Sequence, residues 1–181
     1  MQGTPQTMQL NPSYADVVRE VGGFFRERLQ RLIACGVSRD QVVFDVGIGF
    51  GKTLEHNLQL LAALGSFTKL QRPLLLGASR KSFLTRALGD LAPSDRDWGT
   101  AAAVAASILE GAHIVRVHAV GPMVQVARVA DEILRARSRL WCAMSTSSFD
   151  NEKSASGSRS SLRCVISSSV LPWRPASSMR R

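Results

Sequence analysis

The chain has 181 residues, 45% of them hydrophobic, and carries a formal charge of +9, a length that supports one domain with a real core because chains of about 150 residues bury roughly two thirds of their unfolded surface. The longest apolar run, AAAVAASIL from Ala101, is far short of the ~20 residues of a membrane span, and no basic start leads into an apolar stretch as it does in a secretory signal. Cys35, Cys142 and Cys164 form neither an even disulfide set nor a metal-spaced cluster, so a reducing, cytoplasmic setting is expected.

Along the chain, Val17, Val18, Val21, Phe24, Phe25, Leu29, Leu32 and Ile33 recur at three- and four-residue steps with arginines between them, which predicts an amphipathic helix over residues 14–34 that stops at Gly36. VVFDV, residues 42–46, reads as a buried strand, and EHNLQLLAAL, residues 55–64, as a helix with Thr53 as N-cap. PLLLGAS (73–79) is a second strand and KSFLTRAL (81–88) a short helix. After the polar turn DLAPSDRD, residues 99–111 form a small-residue helix, HIVRVH (113–118) a third strand and residues 122–137 a last helix. His56 is read as a solvated or capping residue and His113 as a solvated one.

Residues 138–181 are dominated by serine and carry seven basic side chains against two acidic ones, five of the nine net charges. Such a composition cannot offset chain entropy, so this segment is expected to be a mostly disordered tail, the LRCVI run excepted. Trp141, Phe149 and Trp173 are too scattered to interleave with its charges; a solvated tail is expected and nucleic-acid binding is not.

Three apolar strands, each followed by a helix, predict an α/β domain with a parallel sheet over residues 1–137. Periodicity leaves an open doubly wound sheet and a closed (β/α)₈ barrel equally available. In both, the carboxyl ends of the strands form the active face, and that is where Asp45, Ser79-Arg80-Lys81, Arg116 and His118 fall. FDVGIGFGKT, residues 44–53, ends like a P-loop, but the glycine required five places before Gly51 is Val46, and G-x-G-x-G misses the dinucleotide fingerprint. Asp45 therefore has two readings. It accepts paired N–H donors from the amino-imino edge of a heterocycle, or it caps the glycine loop behind it. Arg116 and His118, two apart on a strand, share a side; they cradle a phosphate, or the arginine pairs internally with an acid such as Asp45. Lys81 opens a helix, where anions are favoured.

Together these strings resemble dihydropteroate synthase, the pterin-binding enzyme of folate biosynthesis. MQGTPQTMQ (1–9), DVGIGFGKTLEHN (45–57), GASRKSF (77–83), GTAAAV (99–104) and IVRVHAV (114–120) follow the family's motifs in order. Val46, Ile48 and Ala119 depart from its usual Pro, Phe and Asp, and the tail resembles nothing in it. The resemblance implies the C-terminal half of a (β/α)₈ TIM barrel, an incomplete barrel of three parallel strands with helices. It implies that Asp45 grips the pterin, that Lys81 donates to the pterin near the reacting centre, that Phe50 and Ser82 border the p-aminobenzoate site, and that Arg116 and His118 hold the diphosphate. Lys81, Arg116 and His118 would carry the catalysis. The implied reaction joins p-aminobenzoate to 6-hydroxymethyl-7,8-dihydropterin pyrophosphate and expels pyrophosphate, with sulfonamides imitating the amine. Magnesium is the implied cofactor, its protein ligand lying in the absent N-terminal half, so no metal ligand is assigned here. With strands one to five missing, the chain alone is expected to be inactive and to associate as a homodimer or with the missing half. The other readings are a non-catalytic half-barrel needing a partner chain and a methyltetrahydrofolate-type pterin-binding methyltransferase.

Overall fold

The computed structural model describes residue 4, residues 6–146 and residues 164–167. Its order is α1 (Val17–Ala34), β1 (Phe44–Asp45), α2 (Leu54–Ala62), β2 (Leu74–Leu76), α3 (Ser82–Leu88), α4 (Asp97–Leu109), β3 (Ile114–Val117), α5 (Val120–Thr146) and β4 (Cys164–Ser167), with 3₁₀ turns at Arg39–Gln41, Leu64–Leu70 and Pro93–Arg96. The helix ends follow their local chemistry. Asp16 accepts the Arg19 N–H at 2.9 Å to start α1, and the helix stops where Gly36 takes φ +84°, a conformation that costs glycine no Cβ clash. Thr53 caps α2 by accepting the His56 N–H at 3.2 Å, and His56 Nδ1 accepts the Thr53 N–H at 3.3 Å, so both ends of the capping box are filled.

The four strands run parallel in the order β1-β2-β3-β4. Burial alternates along them: Phe44, Leu74, Leu76, Val115 and Val117 are all under 5% exposed and face the helices. The intervening Asp45, Leu75, Ile114 and Arg116 are only partly covered or exposed, and Val43 is 45% exposed. Helices thus cover one face of the sheet, with α1 against α2, α2 against α4 and α4 against α5. A doubly wound sheet has helices on both faces, so one-sided coverage decides for the barrel type. The core consists of that covered face with Leu60, Leu64 and Ile108, each 0% exposed, and with Phe25 stacked on Phe44 at 4.4 Å between centroids. Gly99 lets α4 lie close to α3, since a Cβ there would stand 2.6 Å from Leu88 Cδ1.

Two features depart from the sequence reading. α5 continues past Arg137 to Thr146, because RARSRLWCAMST contains no glycine or proline to stop it. β4, which falls in the LRCVI run, adds a fourth strand beside β3, pairing Ile114 with Cys164 through Val117 with Ser167. The rest of the expected disordered tail, 147–163 and 168–181, lies outside the described residues. Among the described residues no helix is long and apolar enough to cross a membrane.

Candidate active site

β1 delivers Asp45 to its carboxyl end and the glycine loop follows at once. Asp45 Oδ1 accepts the Gly47 N–H at 2.8 Å. The buried Asn57 Oδ1, reaching back from α2, accepts the Gly49 N–H at 2.7 Å, and Gln9 donates to the Gly49 carbonyl at 2.8 Å. A phosphate-cradling loop keeps such N–H groups free for its ligand; here two of them are already held by side chains of this chain. Lys52 likewise turns inward, donating to the carbonyls of Gly47 and Phe50 at 3.0 and 3.1 Å. Burial pushes its ammonium below the ordinary lysine range, against the pull of Asp45.

β2 ends at Leu76, and the turn that follows brings Lys81 across to the glycine loop. Its ammonium donates to the Ile48 carbonyl and lies 4.0 Å from the Phe50 ring centroid, a cation–π contact. The fit is close: with Gly49 at φ +77°, a Cβ there would stand 2.8 Å from Lys81 Cδ. Burial lowers the Lys81 pKa to about 8, with Asp45 opposing the shift and Arg116 and Lys52 adding to it. β3 places Arg116 over Gly77, where a Cβ would meet its Nη2 at 2.7 Å. Its guanidinium reaches Asp45 Oδ2 at 3.4 Å, with both side chains 36% exposed. His118, just past the strand end, is held by Ser79: Nδ1 lies 2.9 Å from Ser79 Oγ, and the His118 backbone N–H donates to the same oxygen at 3.1 Å.

Both internal readings of the charged residues are therefore realised, since Asp45 caps its loop and also pairs with Arg116. The pair is long and about a third exposed, worth at most about 1 kcal/mol, and it leaves both groups open to a ligand. Asp45, Lys81, Arg116 and the Phe50 ring gather around one point at the ends of three neighbouring strands. Ser82 stands apart from them, lining a cleft of about 170 Å³ with Gln9, Lys52, Asn57 and Arg86. Asp45 also lines a cleft of about 210 Å³ against α1, with Tyr14, Phe24 and Lys52. Both are smaller than the ~300–1,000 Å³ of a usual ligand pocket.

Residues 1–118 match the family described as pterin binding enzyme. The chain belongs to that family. It is 42% identical over 137 residues to dihydropteroate synthase of Escherichia coli K12, covering 76% of this chain and 48% of that protein. The crystal structure of Yersinia pestis dihydropteroate synthase with a sulfonamide drug superposes with a TM-score of 0.73 at 37% identity, over 75% of this chain and 49% of the other. That of the Xanthomonas albilineans enzyme in complex with 7,8-dihydropteroate gives 0.66 at 36%, over 67% and 47%. The chain spans about half the length of the relatives it matches.

This region also holds residues to which the sequence reading gave no individual site role. Ser79, 5% exposed, holds His118 across a separation of 39 residues. Asn57, 1% exposed, organises the glycine loop and was legible only as a first-turn helix residue. Asp97 and Thr100 grip Arg80. Among the described residues no three His, Cys, Asp or Glu side chains gather as a metal site.

Proposed function

We propose that this chain is the pterin- and diphosphate-binding half of a dihydropteroate synthase, inactive alone and active when another chain completes the barrel. The observation that carries this is the grouping of a carboxylate, an ammonium and a guanidinium, Asp45, Lys81 and Arg116, at adjoining strand ends. In this reading Asp45 accepts the amino and imino N–H groups of 6-hydroxymethyl-7,8-dihydropterin pyrophosphate in a bidentate contact. Lys81 donates to the ring, and Arg116 with His118 holds the diphosphate. The p-aminobenzoate nitrogen forms a C–N bond to the pterin methylene while the methylene C–O bond breaks. Pyrophosphate leaves with the electron pair, and the amine proton passes to solvent. Neutralising the leaving group is the main catalytic demand, and on this chain it falls to Arg116 and His118. A partly buried lysine with a pKa near 8 is a directed donor whose charge responds to what binds beside it.

Phe50, 39% exposed, and Ser82 border the amine side, the position that a sulfonamide would share. The need for a second chain follows from the sheet: its inner face is uncovered at Val43, and the outer edge of β1 is unpaired among the described residues. A supplied N-terminal half of the barrel, or a second copy, is the partner that would cover them.

The test is product formation from labelled p-aminobenzoate, in magnesium buffer, with and without an N-terminal half taken from a relative. The chain alone is expected to make no product, and the mixture to make product and elute as one complex. Turnover by the chain alone above about 1 s⁻¹, typical of whole enzymes, would contradict the half-site reading. A complex that forms yet makes no product would instead favour a non-catalytic role.

A further inference from the structure

The placement of Lys81 depends on the residue before it. Arg80 holds φ +56°, a left-handed conformation that residues with a Cβ rarely adopt. Its backbone and its guanidinium are both tied to the start of α4. Its N–H donates to Thr100 Oγ1 at 3.1 Å and its carbonyl accepts from Arg96 Nη1 at 3.0 Å. Its guanidinium donates to both oxygens of Asp97, each at 2.8 Å. The anchors are themselves fixed: Thr100 is 1% exposed, and Arg96 makes two bonds to the Leu91 carbonyl, at 2.9 and 2.7 Å. The bidentate contact holds the Asp97 carboxyl below the usual range and raises the Arg80 guanidinium. A strained backbone conformation persists where its surroundings over-determine it, and four hydrogen bonds to one residue do so here.

We propose that Asp97, with Thr100 and Arg96, is a positioning device for Lys81: by locking Arg80 in the left-handed region it turns the chain so that the next side chain lies over Phe50 and against Gly49 instead of in solvent. Released from the lock, Arg80 returns to an ordinary conformation, and the Lys81 stem swings out of a slot with no slack at Gly49. Its ammonium then regains water. The groups facing it in the slot are Asp45, Arg116 and Lys52, together with the Ile48 carbonyl and the Phe50 ring. The functional weight of the device rests on Lys81 acting in the site proposed above, but its geometry is readable without substrate.

The experiment is reductive methylation of the full chain with ¹³C-formaldehyde, followed by pH titration of the Lys81 dimethyl signal, assigned by its loss in Lys81→Arg. In the wild type the signal is expected to titrate near pH 8. In Asp97→Asn it is expected to move up by at least about one pH unit, toward the ~10.4 of an ordinary lysine. Arg80→Lys, which keeps the Cβ but cannot make the bidentate contact, is expected to shift Lys81 in the same way, and serves if Asp97→Asn does not fold. Arg80→Gly adopts the left-handed conformation without strain and keeps both backbone bonds, so it is expected to hold Lys81 near its wild-type titration without the guanidinium. An unchanged Lys81 titration in folded Asp97→Asn or Arg80→Lys, or a shifted one in Arg80→Gly, overturns the proposal. So does unfolding of both Asp97→Asn and Arg80→Lys where the wild type is folded, because the contact would then support the whole fold and not one side chain. Calorimetry with the pterin pyrophosphate on the unmethylated proteins separates the two claims: if the Lys81 shift appears but the unmethylated wild type binds no ligand, the site reading fails and the positioning device stands.

Discussion

Asp45→Asn is expected to weaken binding of the pterin pyrophosphate by about 10- to 100-fold in titration calorimetry, with little change in stability. The substitution keeps the side chain's shape, and the amide oxygen still accepts the Gly47 N–H that Asp45 Oδ1 accepts at 2.8 Å. What it removes is the charge and one acceptor, which becomes a donor facing the donor edge of the ligand. Hydrogen bonds to an ionised group contribute about 1.5–3 kcal/mol, and each ~1.4 kcal/mol is tenfold in affinity. The lost pairing with Arg116, 3.4 Å long and 36% exposed on both sides, contributes at most about 1 kcal/mol to folding. Wild-type affinity in the variant would reduce Asp45 to a loop cap and an internal ion-pair partner.

Leu74→Ala is expected to lower the unfolding free energy by about 2–5 kcal/mol, read from urea denaturation. Leu74 is 0% exposed and sits on β2, between Phe44 on β1 and the strand that carries Arg116. Its removal leaves a cavity where the strand meets its helices. A typical domain has about 5–15 kcal/mol in total, and a sheet covered on one face has less to lose. The control is Val129→Ala on α5, where the side chain is 62% exposed and the expected change is within about 0.5 kcal/mol. A loss under about 1 kcal/mol at Leu74 would contradict the packing of helices on this face of the sheet.

Much of the architecture is legible in local patterns. The apolar runs around Phe44, Leu74 and Val115 identify three strands whose parallel pairing follows from the helices between them. Thr53 reads as a cap because a hydroxyl before an apolar helical period has one common use, and it makes that bond. Charge at the carboxyl ends of strands marks Asp45, Lys81, Arg116 and His118, since an ionised group ending an apolar strand needs a partner. Coverage of the sheet is not legible: the same apolar strands suit one covered face or two, and only the exposed Val43 and Asp45 beside buried Phe44 distinguish them.

Contacts between neutral or loop residues set by the parallel register are also hidden. Ser79 meets His118 because β2 and β3 end side by side, and Asp97 meets Arg80 because α4 starts beside the β2 loop. No local period encodes either pair. At the far end the serine-rich composition drew the expected boundary at residue 137, yet the Leu, Ala and Met of RARSRLWCAM are helix formers, and α5 runs on to Thr146. The pairing of β4 with β3 depended on an open edge that becomes visible only once the sheet is assembled.

Convergence of the four charged or titratable side chains on one ligand is tested most directly by a single ¹⁵N NMR titration of the chain with 6-hydroxymethyl-7,8-dihydropterin pyrophosphate in magnesium buffer. The signals to follow are the Gly47 amide beside Asp45, Lys81 Nζ, Arg116 Nε and the His118 ring nitrogens. The expected result is that all four respond along one saturation curve with a single Kd. Separate curves with different Kd values, or movement at one end of the set with none at the other, would contradict a common site.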